Sequence, residues 1–111
     1  DLILFGDGTP LRQFMHAADF AKIIYLYVTR KLSVSCNVAP DLNLSINDYA
    51  ILALKTLGLE KIKIRYDNSL PNGQFRKDVS TQLFKKYFSD FRFKCLQVGI
   101  EEMYNYYEAS L

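Results

Sequence analysis

A cluster of turn-forming residues near the start of the chain sets the first local constraint on its fold. Two glycines and a proline occur within Gly6–Pro10, and such a cluster interrupts any regular element. The apolar run before it, Leu2–Phe5, predicts a short buried strand. The alternating residues after it, Leu11–His16, predict a second extended segment. The chain therefore opens with two extended segments that a tight turn separates.

Two amphipathic helices follow, each with a start signal. Asp19 is placed to cap the first helix or to lie in its first turn. The apolar stripe of this helix is Phe20, Ile23, Ile24 and Tyr27. Ser45 begins the second helix, Asp48 completes a short capping box, and Gly58 is suited to end it.

The remaining elements are shorter, apart from a final helix. We predict strands over Ser35–Ala39 and Lys61–Asp67, the latter with Ile62, Ile64 and Tyr66 on a buried face. A polar loop over residues 68–77 precedes the last elements. These are a short helix over residues 81–88, an extended stretch over residues 91–93, and a helix over residues 96–107 that buries Leu96, Ile100, Met103, Tyr104 and Tyr107. The sum is a small α/β domain with three or four short strands and four helices.

Composition excludes several classes of protein. The 111 residues suit one domain, and half of them are hydrophobic, which argues against disorder. The net charge of +2 does not demand a polyanion partner, and no apolar run approaches the length of a membrane helix. One histidine and two distant cysteines form no zinc pattern. Cys36 and Cys95 fit two free thiols in a reducing compartment better than one disulfide. The chain lacks an initiator Met, and we expect it to be a piece of a longer cytoplasmic protein.

Three motifs have a functional and a structural interpretation. Tyr27 and Lys31 match a Tyr-x-x-x-Lys catalytic spacing, but Tyr27 belongs to a core stripe and no glycine-rich dinucleotide motif precedes it. His16 could be a general base, although a structural hydrogen bond is the favoured interpretation. Cations interleaved with aromatic residues could bind single-stranded nucleic acid, but ordinary solvated faces are favoured. These cations are Lys61, Lys63, Arg65, Lys85, Lys86, Arg92 and Lys94.

Two segments are better candidates for a binding site. Arg12 follows the Gly6–Pro10 turn and lies near Phe5, and Asn72–Lys77 places two more cations in a loop. An arginine fork can bind a diphosphate through two hydrogen bonds, and a lysine can add a point charge. An aromatic side chain such as Phe5 could flank a base. The pattern predicts an anion site.

The same segments resemble a known family. Phe5–His16, followed by Asp19-Phe20-Ala21, is similar to the stretch that opens the substrate domain of extended short-chain dehydrogenases. A narrower resemblance is to the GDP-L-fucose synthase family. It rests on Thr9-Pro10-Leu11-Arg12, on Asn72–Lys77 before a short helix, and on Asp90-Phe91-Arg92-Phe93 before a terminal aromatic helix. The resemblance runs in order over nearly the whole chain.

This resemblance implies a function for the longer protein. Such enzymes convert GDP-4-keto-6-deoxy-D-mannose into GDP-L-fucose by epimerising two carbons and then reducing the ketone with NADPH. Their cofactor glycines and catalytic residues lie on an N-terminal dinucleotide-binding domain. Residues 1–111 would then be the C-terminal substrate-binding domain, without NADP(H) and without the catalytic residues. The implied partners are a GDP-sugar and the N-terminal domain of the same chain.

The resemblance also implies roles for four residues. Arg12 matches an arginine that contacts the substrate diphosphate, and Lys77 matches a basic residue that reaches the nucleotide. Phe5 stands where some members have an aromatic residue near the guanine. Asn72 stands where the family usually has Asp, which would contact the ribose, and an amide can still hydrogen-bond a hydroxyl group.

Two alternatives and several expectations remain open. The chain could be the same domain from another nucleotide-sugar epimerase or dehydratase, or a stand-alone interaction or RNA-binding module. If the chain is the substrate-binding domain of such an enzyme, its binding cleft lies between two domains. The loops at residues 6–12 and 68–77 are then expected to be partly free. We also expect this piece to be monomeric, the longer enzyme to be a homodimer, and neither nucleic acid nor a membrane to be a partner.

Overall fold

A computed structural model describes all residues, 1–111, and has four helices and four short strands. The helices are α1 (Ala17–Thr29), α2 (Ile46–Thr56), α3 (Gln82–Tyr87) and α4 (Leu96–Ala109). The strands are β1 (Leu2–Phe5), β2 (Leu11–Arg12), β3 (Leu44–Ser45) and β4 (Ile64–Asp67). The predicted α/β class, the number of helices and the two extended segments around the first turn are confirmed.

The strands form two separate pairs. β1 and β4 pair in parallel, with Leu2 opposite Ile64 and Phe5 opposite Asp67. β2 and β3 pair antiparallel, and an isolated parallel bridge joins Leu11 to Arg76. Because β1 and β4 run parallel, the loops that follow them leave the same edge of the sheet.

The buried core is small and largely aromatic. Ile23 of α1 packs against Phe84 and Phe88, whose rings stack with centroids 5.1 Å apart. Phe91 and Phe93 cover this cluster from the irregular segment between α3 and α4. Phe91 and Phe93 therefore contribute their rings to the core although their segment is not a strand.

The helix start and stop signals are mostly confirmed. The Ser45 hydroxyl accepts the Asp48 amide at 3.0 Å, and Gly58 follows α2 with a φ of +68°. At α1 the cap is His16, whose Nδ1 accepts the Ala18 amide at 3.0 Å. Asp19 lies in the first turn instead, where it is buried and accepts the Lys94 amide at 2.7 Å. That bond joins α1 to the segment before α4.

Several predicted strands are wrong or too long. Ser35–Ala39 alternates between exposed and covered residues, but no neighbouring strand pairs with it. Leu11–His16 is a strand over its first two residues only, because β3 is itself two residues long. Lys61–Asp67 is a strand from Ile64 onwards, and Tyr66, predicted to face the core, is 43% exposed. Short alternating segments become strands only where a partner lies alongside.

The apolar stripe of α4 is mostly uncovered. The first half of α4 packs on α2, but every residue from 101 to 111 is exposed. Met103, Tyr104 and Tyr107 were predicted to be buried, and Tyr107 is 63% exposed. The prediction was wrong because the chain supplies no surface for that half of the helix to pack against.

The structure also describes the two cysteines and the hydrophobicity of the helices. Cys36 and Cys95 are both free, as favoured from their spacing. None of the four helices combines the length and the hydrophobicity that crossing a membrane requires.

Candidate anion-binding site

The first turn, Gly6–Pro10, is held in a defined shape by its own side chains. Gly6 and Gly8 have φ values of +75° and +77°, which favour glycine. The Asp7 carboxylate accepts the Thr9 amide at 3.0 Å and the Thr9 hydroxyl at 2.6 Å. The Asn47 amide at the start of α2 donates to the Gly8 carbonyl oxygen at 2.9 Å. The turn is thereby attached to the N-terminal end of α2.

The second loop, residues 68–77, is hydrogen-bonded to this turn and to β2. The Asp7 amide donates to Asn72 Oδ1 at 2.7 Å, and the Leu11 amide donates to the Phe75 carbonyl oxygen at 2.7 Å. Arg12 Nη1 donates to the Gln74 carbonyl oxygen at 2.8 Å. Each loop therefore satisfies polar groups of the other, while residues 68–77 remain exposed.

Arg12 is the central cation where the two loops meet. It is half-buried, and its Nη1 donates to the Leu11 and Gln74 carbonyl oxygens. No carboxylate pairs with it, and its Nε and Nη2 have no acceptor in the chain. A partly buried guanidinium is usually matched by an acid. Arg12 therefore has donors free for an external anion.

Tyr49 of α2 fixes the backbone that carries Arg12. Its hydroxyl group donates to the Arg12 carbonyl oxygen at 2.8 Å and accepts the Phe14 amide at 3.2 Å. Its ring lies 4.5 Å from that of Phe14, measured between centroids. Tyr49 was not among the site residues predicted from the sequence. The available signal was the hydroxyl group, since a buried tyrosine usually has a hydrogen-bond partner.

The charges around Arg12 separate into paired and unpaired groups. Arg76 binds Asp78 through Nε and Nη2, at 2.8 and 2.9 Å, and Arg76 keeps the pKa of that carboxyl group below its usual value. Lys77 forms no ion pair. Leu11 and Arg76 form a parallel bridge, and Arg12 and Lys77 are the residues that follow them. Arg12 and Lys77 therefore stand at matching positions just past the bridge. Of the two cations in the second loop, Lys77 is the one without an internal partner.

The Asp7 carboxylate has its hydrogen-bond donors within the first turn. Hydrogen bonds from Thr9, and to a lesser degree from Asn72, lower the pKa of Asp7, which is therefore ionised at neutral pH. Because both Thr9 donors bind its carboxylate, Asp7 is directed within the turn and makes no ion pair with Arg12.

The structure places the four predicted site residues differently. Arg12 and Asn72 lie at the contact between the loops, and Lys77 lies beside it. Phe5 ends β1 and is 67% exposed, so its ring is available for stacking. Asn72 Oδ1, which was expected to face a ribose, already accepts the Asp7 amide.

The other motifs have structural partners. His16 caps α1 through Nδ1, which puts its proton on Nε2, 3.4 Å from Glu102. The Tyr27 hydroxyl donates to the Val34 carbonyl oxygen at 2.8 Å, and Lys31 lies beyond the end of α1. Three of the interleaved cations, Arg65, Lys85 and Lys94, pair with Asp1, Asp41 and Glu102. The favoured structural interpretation of His16 is confirmed.

Two open clefts on the surface lie away from the candidate site. A cavity of 520 Å³ is lined mainly by residues around Cys36 and α3, and one of 420 Å³ lies between α2 and α4. Neither is lined by Arg12, Asn72 or Lys77. No cluster of three metal-binding side chains is present.

Comparison with known proteins finds relatives over nearly all of the chain. It is 31% identical over 105 residues to GDP-L-fucose synthase from Dictyostelium discoideum, covering 92% of this chain and 32% of that protein. It is 33% identical over 108 residues to GDP-L-fucose synthase from Azorhizobium caulinodans, covering 94% and 33%. The chain thus spans about a third of the length of these curated relatives. No protein-family model matches it.

Solved structures share the fold. A GDP-L-fucose synthetase from Naegleria fowleri bound to NADP has a TM-score of 0.75 and 23% identity, over 90% of this chain and 32% of that one. An NAD-dependent NDP-hexosamine 5,6-dehydratase, TunA, has a TM-score of 0.79 and 18% identity, over 96% and 35%.

Sequence and fold together define the class of protein to which the chain is related. It has the fold of about a third of each of these two enzymes of nucleotide-sugar metabolism. More narrowly, it is homologous to about one third of a GDP-L-fucose synthase.

The chain does not form the glycine-rich strand–turn–helix that holds a dinucleotide in doubly wound folds. Such a cofactor needs a glycine-rich turn that leads from a parallel strand directly into a helix N-terminus. The only parallel sheet is the β1–β4 pair, and its glycine-containing turn leads into β2 rather than into a helix.

Proposed function

We propose that this chain is the C-terminal substrate-binding domain of an epimerase-reductase of the GDP-L-fucose synthase kind. The longer enzyme would convert GDP-4-keto-6-deoxy-D-mannose into GDP-L-fucose with NADPH. The homology to GDP-L-fucose synthases supports the reaction. The observation that carries the binding role is the half-buried Arg12, which has donors and no acid partner.

Arg12 suits a diphosphate because of how its fork is held. Nη1 is fixed on the Gln74 carbonyl oxygen, so the planar group cannot rotate freely, while Nε and Nη2 remain to donate. Charge-assisted bonds of this kind are about twice as strong as neutral ones. A pre-oriented fork also loses less entropy when the anion binds. The role of Arg12 is thus to bind and orient the diphosphate.

Lys77 and Phe5 would extend the same site. Lys77 adds an exposed positive charge near Arg12 and has no competing carboxylate. Phe5 offers an exposed ring at the end of β1, where a base could stack. Two cations in one place suffice for such an anion, which agrees with the small net charge of +2.

The remaining two thirds of the enzyme would supply NADP(H), the catalytic groups and the opposite wall of the cleft. The structure of the Naegleria fowleri relative contains NADP, which supports NADP(H) as the cofactor of the longer enzyme. Exposed apolar side chains offer a surface for the N-terminal domain to cover. They include Ile3 on β1, at 59% exposure, and Ile24 and Val28 on α1. Single-domain surfaces rarely leave large apolar patches open.

A second candidate is the same domain in another nucleotide-sugar epimerase or dehydratase. The fold likeness to TunA, with a TM-score of 0.79, supports this second candidate. Both candidates use Arg12 for the diphosphate and differ in the base and sugar. The RNA-binding alternative is less well supported, because three of the seven interleaved cations form internal ion pairs.

The reaction itself can be tested in the intact protein, meaning the complete polypeptide in which this sequence occurs. The protein is supplied with GDP-4-keto-6-deoxy-D-mannose and NADPH, and NADPH oxidation and GDP-L-fucose are measured. The proposal predicts formation of GDP-L-fucose with one NADPH oxidised per product. It also predicts that Arg12→Ala raises KM far more than Lys61→Ala, a change at another exposed and unpaired cation. No turnover in the wild type, or equal KM values in the two variants, would contradict it.

A further inference from the structure

Asn72 is already committed to a contact within the chain. Its Oδ1 accepts the Asp7 amide at 2.7 Å, across 65 residues of sequence. With Oδ1 on the Asp7 amide, the Asn72 side chain is directed at the first turn.

The packing at Gly6 shows how closely Asn72 lies over the turn. A Cβ atom at Gly6 would stand 1.9 Å from Asn72 Oδ1 and 3.0 Å from the Asn72 Cα. The close approach therefore involves the backbone of the second loop as well as the side chain. Gly6 also has a φ of +75°, so both the conformation and the space at this position require glycine.

The residues next to Asn72 hold Arg12. Gln74 supplies the carbonyl oxygen that accepts Arg12 Nη1. Arg12 Nη2 would lie 3.7 Å from a Cβ atom at Gly73, whose φ is +75°. Because Asn72, Gly73 and Gln74 are consecutive, the contact of Asn72 with the turn sets the position of the carbonyl group that orients the Arg12 fork.

An amide at position 72 suits the turn because Asp7 is ionised. The Asn72 side chain contributes a hydrogen bond that lowers the pKa of Asp7, after the larger contribution of Thr9. A carboxylate at position 72 would instead place two like charges side by side.

We propose that Asn72 is a positioning residue for the anion site: it orients Arg12 by joining the second loop to the first turn, and it does not bind the nucleoside. The inference rests on the proposed function, since it needs Arg12 to bind a diphosphate. It differs from the role that the family resemblance implies for this position, which is a contact with the ribose.

A pair of anions with and without a ribose separates the two roles. The intact protein is titrated with GDP and, separately, with inorganic pyrophosphate, which has no nucleoside. In Asn72→Ala, a positioning role predicts that both Kd values rise by a similar factor, about fivefold or more. Asn68→Ala, at an exposed asparagine of the same loop without a side-chain partner, should change neither. A rise for GDP alone would overturn the inference, and so would no rise for either anion.

Arg12→Ala distinguishes failure of the inference from failure of the proposed function. If Arg12→Ala weakens both anions and Asn72→Ala does not, only the inference fails. If Arg12→Ala weakens neither, the proposed function fails and the inference fails with it. In the double variant, the Asn72 substitution should add little to the loss from Arg12→Ala, because it acts through that side chain.

Hydrogen exchange gives a readout without any ligand. Asn72→Ala should speed amide exchange in residues 6–12, since the Asp7 amide loses its acceptor and the turn loses its connection to the second loop. Exchange in α2 away from the turn should stay as in the wild type, which also reports that the variant is folded. Unchanged exchange in residues 6–12 would overturn the inference.

Discussion

The Tyr49 hydroxyl group donates to the Arg12 carbonyl oxygen at 2.8 Å and so connects helix α2 to the residue at the centre of the anion site. Tyr49 is buried, and the same hydroxyl group accepts the Phe14 amide at 3.2 Å. The backbone that follows the Arg12 side chain, from the Arg12 carbonyl group to the Phe14 amide, is therefore held by one residue 37 positions from Arg12.

Tyr49→Phe should loosen this backbone without disturbing the ring packing. The variant keeps the contact with Phe14 but leaves the Phe14 amide and the Arg12 carbonyl group without this partner. We expect a loss of about 1 kcal/mol in the free energy of unfolding and faster amide exchange at Phe14. Tyr25→Phe, at an exposed tyrosine without a hydrogen-bond partner, is the control. Equal stability of the two variants would count against a structural role for the Tyr49 hydroxyl group.

Gly6→Ala should be more damaging than Gly58→Ala. Both glycines have positive φ, so each alanine carries a conformational cost of about 1 kcal/mol. Only at Gly6 does the added Cβ atom meet Asn72, whereas nothing lies within 4 Å at Gly58. Thermal unfolding should show a total loss of about 2 kcal/mol or more for Gly6→Ala. Similar melting temperatures for the two variants would refute the close contact between the turn and Asn72.

Arg12→Ala should weaken binding of the sugar nucleotide by about 2–3 kcal/mol, because it removes a charge-assisted fork. It should also cost some stability, since Nη1 joins β2 to Gln74. Arg12→Lys keeps the charge but not the fork, so we expect an intermediate affinity. Calorimetric titration measures both variants. Wild-type affinity in Arg12→Ala would remove Arg12 from the site.

The ion pair of Arg30 with Asp90 predicts how stability responds to acid. Hydrogen bonds from Arg30 hold the pKa of Asp90 below its ordinary value of 3.8. A carboxyl group with a lowered folded-state pKa contributes stability above its unfolded pKa and loses that contribution as pH falls through the folded value. Asp90→Asn should therefore melt below the wild type at neutral pH and approach it in strong acid.

The control for this comparison is Glu60→Gln, at an exposed acid that forms no ion pair. It should follow the wild type at neutral pH. A difference between Asp90→Asn and the wild type that persists unchanged into strong acid would show that the charge of Asp90 is not its cause.

Local signals predicted local structure well. The hydroxyl group of Ser45 and the positive φ of Gly58 act within one turn of α2, so their patterns are sufficient to define where that helix begins and ends. The same is true of the Gly6–Pro10 turn. Arg12 and Lys77 were chosen as site residues because of the turn pattern and the family resemblance. That neither forms an ion pair became visible only in the structure.

Contacts between distant residues could not be predicted in this way. The bond from Asp7 to Asn72 spans 65 residues and that from Arg12 to Gln74 spans 62, and neither leaves a periodic pattern. The strand predicted over Ser35–Ala39 failed for the same reason, since alternation does not reveal whether a partner strand is present. On α4 the apolar stripe was correct, but Tyr107 has nothing in the chain to pack against.

The central claim is that these loops belong to a GDP-sugar site, and the most direct test is a titration of the intact protein with GDP and with UDP. The account predicts that GDP binds with the lower Kd and that Arg12→Ala abolishes most of its affinity. A lower Kd for UDP would assign the domain to a different nucleotide sugar. Binding of neither nucleotide would contradict the account.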